Sequence, residues 1–235
     1  MLPETFCQHR RLALRWLLAG GALGLLPLPV LINAALAMGR HGFASEMRRV
    51  RGDVRINGNP AQVGSPVNYG DVVTTGYPGR AIFILGKAVY LLRENTRIEL
   101  PAEAGETLSE KAEAIVRLTR GKMLAVLAKG RTRFRTPTAV AGIRGTGLYL
   151  EADPEKTYVC ICYGKATLGS SVTGKSLENI QTRHHESPRY IYKSLRADGR
   201  LIARAPVINH TDAELILLES LVNRKPPFVG SEGSY

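Results

Sequence analysis

The chain has 235 residues, 44% hydrophobic and 22% charged, with 24 Gly and 13 Pro. That leaves room for one good-sized domain and a leader, and its Gly and Pro supply argues against a helical bundle and for short strands joined by tight turns. The formal net charge of +12 attracts phosphate, anionic lipid, anionic polymers and nucleic acid alike, so charge alone names no partner.

The N-terminus reads as a targeting segment. Arg10, Arg11 and Arg15 precede an uncharged apolar run from Leu17 to Ala37. The run ends in Ala35-Leu36-Ala37, which supplies the small residues of a cleavage site ahead of Met38. The paired arginines and the following Leu12-Ala13-Leu14-Arg15 are similar to a twin-arginine signal, with Ala13 where that motif prefers Phe. The same run is long enough for an uncleaved membrane anchor, although Pro27 and Pro29 interrupt a helix. Residues 1–37 are thus a signal peptide or an anchor. Either reading puts everything after residue 40 in the periplasm, free or tethered to the inner membrane.

Short β-like runs punctuated by Gly follow, from Met47 to about Leu168. Val50 to Ile56 leads into an Asn57-Gly58-Asn59-Pro60 turn. Asp71 to Thr75, Arg80 to Leu85 and Ala88 to Leu92 come next, then Thr96 to Leu100 with the period-two alternation of a half-buried strand. Residues 101–113 are polar and acidic and read as a loop or a single helical turn. Strands are predicted again at 114–119, 122–128, 132–136, 146–152 and 156–163. A weak repeat of Gly, a charged residue and a strand recurs at Gly52-Asp53, Gly70-Asp71, Gly121-Lys122 and Gly164-Lys165, with Gly supplying a positive-φ turn. The expected fold is all-β, a two-sheet sandwich or solenoid-like stack of short strands, over residues 38–170.

Residues 171–235 read as an extension with one helix at about 211–224. Thr211-Asp212-Ala213-Glu214 is a capping box, and Leu215, Leu218, Leu221 and Val222 recur at helical spacing.

Two clusters carry chemistry. Cys160 and Cys162 fall at i and i+2 of a strand, so both sulfurs share a face. A bond between them would be strained. With His184, His185 and His210 downstream they make a soft ligand set suited to Cu or Zn. The gap of about 20 residues is no recognised ligand spacing, and paired cysteines on a strand also serve as small core residues. Arg131, Arg133 and Arg135 line one strand face, with Phe134 on the other. They suit an anionic polymer or acidic partner, and equally a solvated edge. No catalytic, nucleotide-binding or nucleic-acid-binding signature occurs, so neither an enzyme nor a nucleic-acid partner is expected.

Four passages together resemble the FecR domain: Val50-Arg51-Gly52-Asp53-Val54, Gly70 to Thr75, Phe134 to Thr146, and Val159 to Leu168. The most specific is Thr136-Pro137-Thr138-Ala139-Val140-Ala141-Gly142-Ile143-Arg144-Gly145-Thr146. Its small residues suit a close strand crossing, and Arg144 joins the three arginines as a candidate for binding anions. Members of that family are inner-membrane regulators of iron uptake, in which a cytoplasmic segment binds a sigma factor and the outer part reads a receptor. Only nine residues precede the paired arginines, so the resemblance implies an exported form without the sigma-binding segment. The expected function is a periplasmic binding or sensory module that contacts an envelope protein or anionic envelope polymer and requires no cofactor. The alternative is a metal- or haem-binding protein built on Cys160, Cys162, His184 and His185.

Overall fold

The computed structural model describes residues 43–102 and 114–230. The leader with its cleavage site, and residues 103–113 of the acidic segment, lie outside the described residues. Among the described residues, no helix is long and apolar enough to cross a membrane.

The described residues are all-β with one helix. Its strands are β1 (Met47–Ile56), β2 (Asn59–Pro60), β3 (Val72–Leu85), β4 (Ala88–Leu92), β5 (Arg97–Glu99) and β6 (Ala114–Val126). They continue with β7 (Arg131–Arg135), β8 (Ala139–Ala152), β9 (Lys156–Ser170), β10 (Ser176–Thr182), β11 (Arg189–Tyr192) and β12 (Ile202–Arg204). The helix α1 (Asp212–Ser220) follows. All twelve strands join in one hydrogen-bonded sheet. The segment after residue 170, whose text signals only a helix, supplies three of them: β10 and β11 pair with β9, and β12 pairs with β11.

Several runs that look separate in the sequence are halves of one long strand. The runs at 71–75 and 80–85 meet in β3, and those at 114–119 and 122–128 meet in β6. The join is a bend. Gly52, Gly121 and Gly164, three of the four repeat glycines, sit inside strands at φ of +67°, +91° and +100°. Only Gly70 lies at a turn between strands. At Gly121 a Cβ would stand 2.4 Å from Thr96 Oγ1 and 2.5 Å from Thr96 Cα, so the chain entering β5 leaves no room for a side chain.

The bends divide the sheet into two layers. In the first, β9 beyond Gly164 pairs with β10, the start of β8 pairs with β7, and the start of β6 runs parallel to β7. β5 continues this layer by pairing with β6 and with the start of β3. In the second, β11, the start of β9, the end of β8, the end of β6, β4 and the end of β3 lie side by side. One core fills the space between, including Phe83 stacked on Tyr90 at 5.1 Å, with Ile98, Phe134, Leu150 and Ile161.

The layers differ on their far faces. The first is charged outside. The second is apolar on both sides: Ile82, Ile84, Leu91, Leu124, Cys160 and Cys162 point away from the main core and are buried with Leu215, Leu218 and Val222 of the helical segment. Each such leucine contributes about 1.5–3 kcal/mol to holding α1 on the sheet. α1 has the expected capping box, with the Glu214 amide donating to Thr211 Oγ1 at 3.3 Å and the Thr211 amide to Glu214 Oε2 at 3.1 Å. It ends at Ser220, earlier than its leucine spacing implies, and the chain turns at Asn223 with φ +53° before Pro226.

Candidate metal centre

The outward face of β9 carries the site. Cys160 and Cys162 both point away from the main core, are fully buried, and are free thiols. The chain leaving β10 doubles back over them. The His185 amide donates to the Cys162 carbonyl at 2.9 Å, and His185 takes φ +51°, which drops its ring towards the sulfurs. The segment entering α1 brings His210 from the other side. Its ring stacks on Tyr149 of β8, centroids 4.5 Å apart, and Tyr149 lies opposite Cys160 in register.

One ligand atom from each of Cys160, Cys162, His185 and His210 lies within 4.8 Å of all the others. Cys160 Sγ is 3.5 Å from His185 Nδ1, which is 3.0 Å from His210 Nε2. A tetrahedral centre with metal–sulfur bonds near 2.3 Å and metal–nitrogen bonds near 2.0 Å has donor separations of roughly 3.3–3.8 Å. These two separations already lie close to that range.

The partners of each ring fix its protons. His210 Nδ1 lies 2.6 Å from the Ile208 carbonyl, which can only accept, so Nδ1 carries the hydrogen and Nε2 has the lone pair. His185 Nε2 lies 2.9 Å from Asp212 Oδ1, so Nε2 donates and Nδ1 has the lone pair. With both rings neutral, two lone pairs would face each other across 3.0 Å. A proton or a metal cation must sit between them.

The thiols titrate apart. Cys160 is held well below the usual thiol range, first by its hydrogen bond from Cys162, against the opposing effect of burial, and then by His185 and His210. Burial pushes Cys162 well above it. For His185 burial opposes protonation, but the bonds and charges of Cys160 and Asp212 outweigh it and the pKa rises. Burial likewise opposes ionisation of Asp212, yet hydrogen bonds from His184 and His185 lower its pKa.

His184 does not join the four. It is exposed, tilts against Phe228 and bonds Asp212 at 2.9 Å, forming with His185 and Asp212 a second, partly exposed group. Asp212 is the residue that sequence reading missed, because its place in the first turn of a capped helix already accounted for it. Glu214 of the same turn reaches Arg80 at 2.5 Å and Arg93 at 3.0 Å, tying the start of α1 to β3 and to the chain after β4. The four arginines lie elsewhere. Arg131, Arg133 and Arg135 are exposed on β7 with Phe134 fully buried beneath, and Arg144 stands opposite Arg131 on β8.

No protein-family model matches the sequence, and no curated protein matches it. Two crystal structures of a Parabacteroides distasonis protein, provisionally assigned as an anti-sigma factor, are similar to 57% of this chain, with 14% identity and a TM-score of 0.45. The matched part of the chain spans 58% of that protein, little over half its length.

Proposed function

We propose that this chain is an exported, FecR-like binding module of the cell envelope whose ligand is a single Zn(II) or Cu(I) ion held by Cys160, Cys162, His185 and His210. The observation that carries the reading is the convergence of one donor atom each from His185, His210 and the buried Cys160 and Cys162 within 4.8 Å of one another. Two thiolates and two imidazoles complete a tetrahedral shell and leave no open position, which suits a structural or sensory site over a catalytic one. Two thiolates also neutralise a divalent ion, so the buried centre carries no net charge. Of the two metals, the four-coordinate mixed set fits Zn(II) better. The donors converge on a point, which suits a lone ion and not a haem.

The ligands come from β9, from the chain after β10, and from the segment entering α1. An ion held there clamps the start of the helix onto the sheet. That supplies a sensory output: metal occupancy sets how firmly α1 is docked, and a partner reads the docked surface. The FecR-like run from Thr136 to Thr146 and the basic leader support placing this module in the envelope. The test is metal content by mass spectrometry on protein purified from the periplasm under reducing conditions, beside the Cys160→Ser/Cys162→Ser variant. Near-stoichiometric zinc or copper that disappears in the variant supports the reading. Metal-free wild-type protein that does not take up either ion overturns it.

A further inference from the structure

We infer that the outer face of the first layer, on the opposite side of the main core from the metal centre, binds a linear polyanion bearing repeated phosphate groups. The inference is independent of the metal.

The argument begins with strand register. Arg131 of β7 pairs with Arg144 of β8, and Arg144 pairs with Lys165 of β9. Three exposed cations thus stand directly opposite one another across three adjacent strands, about 4.8 Å apart strand to strand. Like charges directly opposite destabilise a sheet. None of the three forms an ion pair among the described residues. Arg135 continues the pattern beside Arg117 of β6, again in register and again both exposed. An acid in register opposite a cation does occur elsewhere on this sheet, Glu151 of β8 opposite Lys122 of β6 and Glu99 of β5 opposite Arg117 of β6. Among the described residues no acid stands in register opposite Arg131, Arg144 or Lys165.

The row borders a groove rather than a plane. An open groove of about 410 Å³ is lined by Arg131, Arg133, Arg135, Arg144 and, from the loop between β9 and β10, Ser171 and Lys175. A second of about 280 Å³ adjoins it through Gly142, Arg144 and Thr167 and ends at Lys165. Among the described residues, neither has an acid in its lining. Gly142 forms the floor between Arg133 and Thr167. A Cβ there would meet only the Thr167 carbonyl oxygen, at 3.8 Å, an ordinary contact. Packing does not require that glycine; its missing side chain opens the groove. A channel lined by cations with a bare floor suits a chain of phosphates lying along it, whereas a membrane surface would need a flat face with apolar anchors.

The test uses long-chain inorganic polyphosphate as the probe, titrated into the full protein at several salt concentrations. Wild type is expected to bind with log K falling on log salt by about 0.7 per phosphate neutralised, or a slope of about −2 to −3 for three to four contacts. Arg131→Gln/Arg144→Gln/Lys165→Gln should lose at least about tenfold in affinity and most of that slope, with an unchanged or raised Tm because repulsion is relieved. Removing as many charges at ion-paired sites, Arg48→Gln/Lys193→Gln/Arg196→Gln, should cost less than about threefold. Gly142→Val, which fills the groove and leaves every charge in place, should also weaken binding several-fold. Equal losses in the two triple variants, full binding by Gly142→Val, or preference for anionic phospholipid vesicles over polyphosphate would each overturn the proposal.

Discussion

Asp212 Oδ1 accepts a hydrogen bond from His185 Nε2 at 2.9 Å, so the first turn of α1 holds the tautomer of a candidate metal ligand. A carboxylate behind a ligating imidazole fixes ring orientation and raises its basicity, and its loss typically weakens metal binding 10–100-fold. Asp212→Asn should therefore lower zinc affinity by roughly that factor, read by competition with a chromophoric chelator. Helix content should persist, because the Thr211–Glu214 capping box does not involve Asp212.

Metal should also stabilise the fold. A ligand that binds only the native state at about 100 times its Kd adds about 2.7 kcal/mol, or about 5–10 °C in Tm for a chain of this size. Thermal melts with zinc and with a chelator should differ by that amount in wild type and coincide in the Cys160→Ser/Cys162→Ser variant. Limited proteolysis of the chelated protein should cut first around His210, where the clamp is lost. A wild-type melt indifferent to metal would leave the four donors as core residues.

The sequence made the site half legible, for a physical reason. The i, i+2 rule put Cys160 and Cys162 on one face, and the positive charge at Arg131, Arg133 and Arg135 followed from the same alternation, with Phe134 inward. The bend at Gly52 was not legible as one, because a glycine at positive φ reads alike in a turn and in a long strand. Nor was the second layer's double-sided burial. Runs such as Ala81 to Leu85 and Val159 to Tyr163 have no polar alternation because both faces are covered, so period-two reasoning cannot say which side looks out. His185 and His210 meet only through two loops whose geometry rests on positive-φ residues, His185 and Asn209, that carry no periodic signal.

Low pH should act first on the edge of the sheet. Glu178 of β10 takes a bidentate bond from Arg189 of β11, at 2.8 and 2.6 Å. That bonding, against partial burial and aided by the charges of Arg189 and Arg204, lowers its pKa below the ordinary 4.5. A depressed folded-state pKa contributes stability that is complete above the unfolded value and is lost as pH falls through the folded value. Stability should thus be flat in this respect from pH 7 to about 5 and decline below about 4.5. Because Glu178 is a third exposed, screening makes the loss small. Urea titrations at pH 6 and pH 3.5 should show a smaller difference for Glu178→Gln than for wild type, and an equal difference would mean that other carboxyls dominate.

Gly52 and Gly58 offer a matched test of the bends. Both have positive φ, +67° and +84°, so alanine at either incurs a similar backbone penalty of about 1–2 kcal/mol. Their surroundings differ. A Cβ at Gly58 would have no heavy atom within 4 Å, whereas one at Gly52 would stand 1.6 Å from the Pro78 carbonyl oxygen of β3. Gly58→Ala should therefore lower Tm by only a few degrees. Gly52→Ala must push β1 off β3 at the point where both strands pass from one layer to the other, and it should cost more than about 4 kcal/mol, enough to prevent recovery of folded protein. Similar melting for the two variants would mean that Gly52 is needed only for its φ, as a turn glycine would be. A large gap would identify close backbone approach as the reason this strand, and by the same geometry β6 at Gly121, carries glycine at its bend.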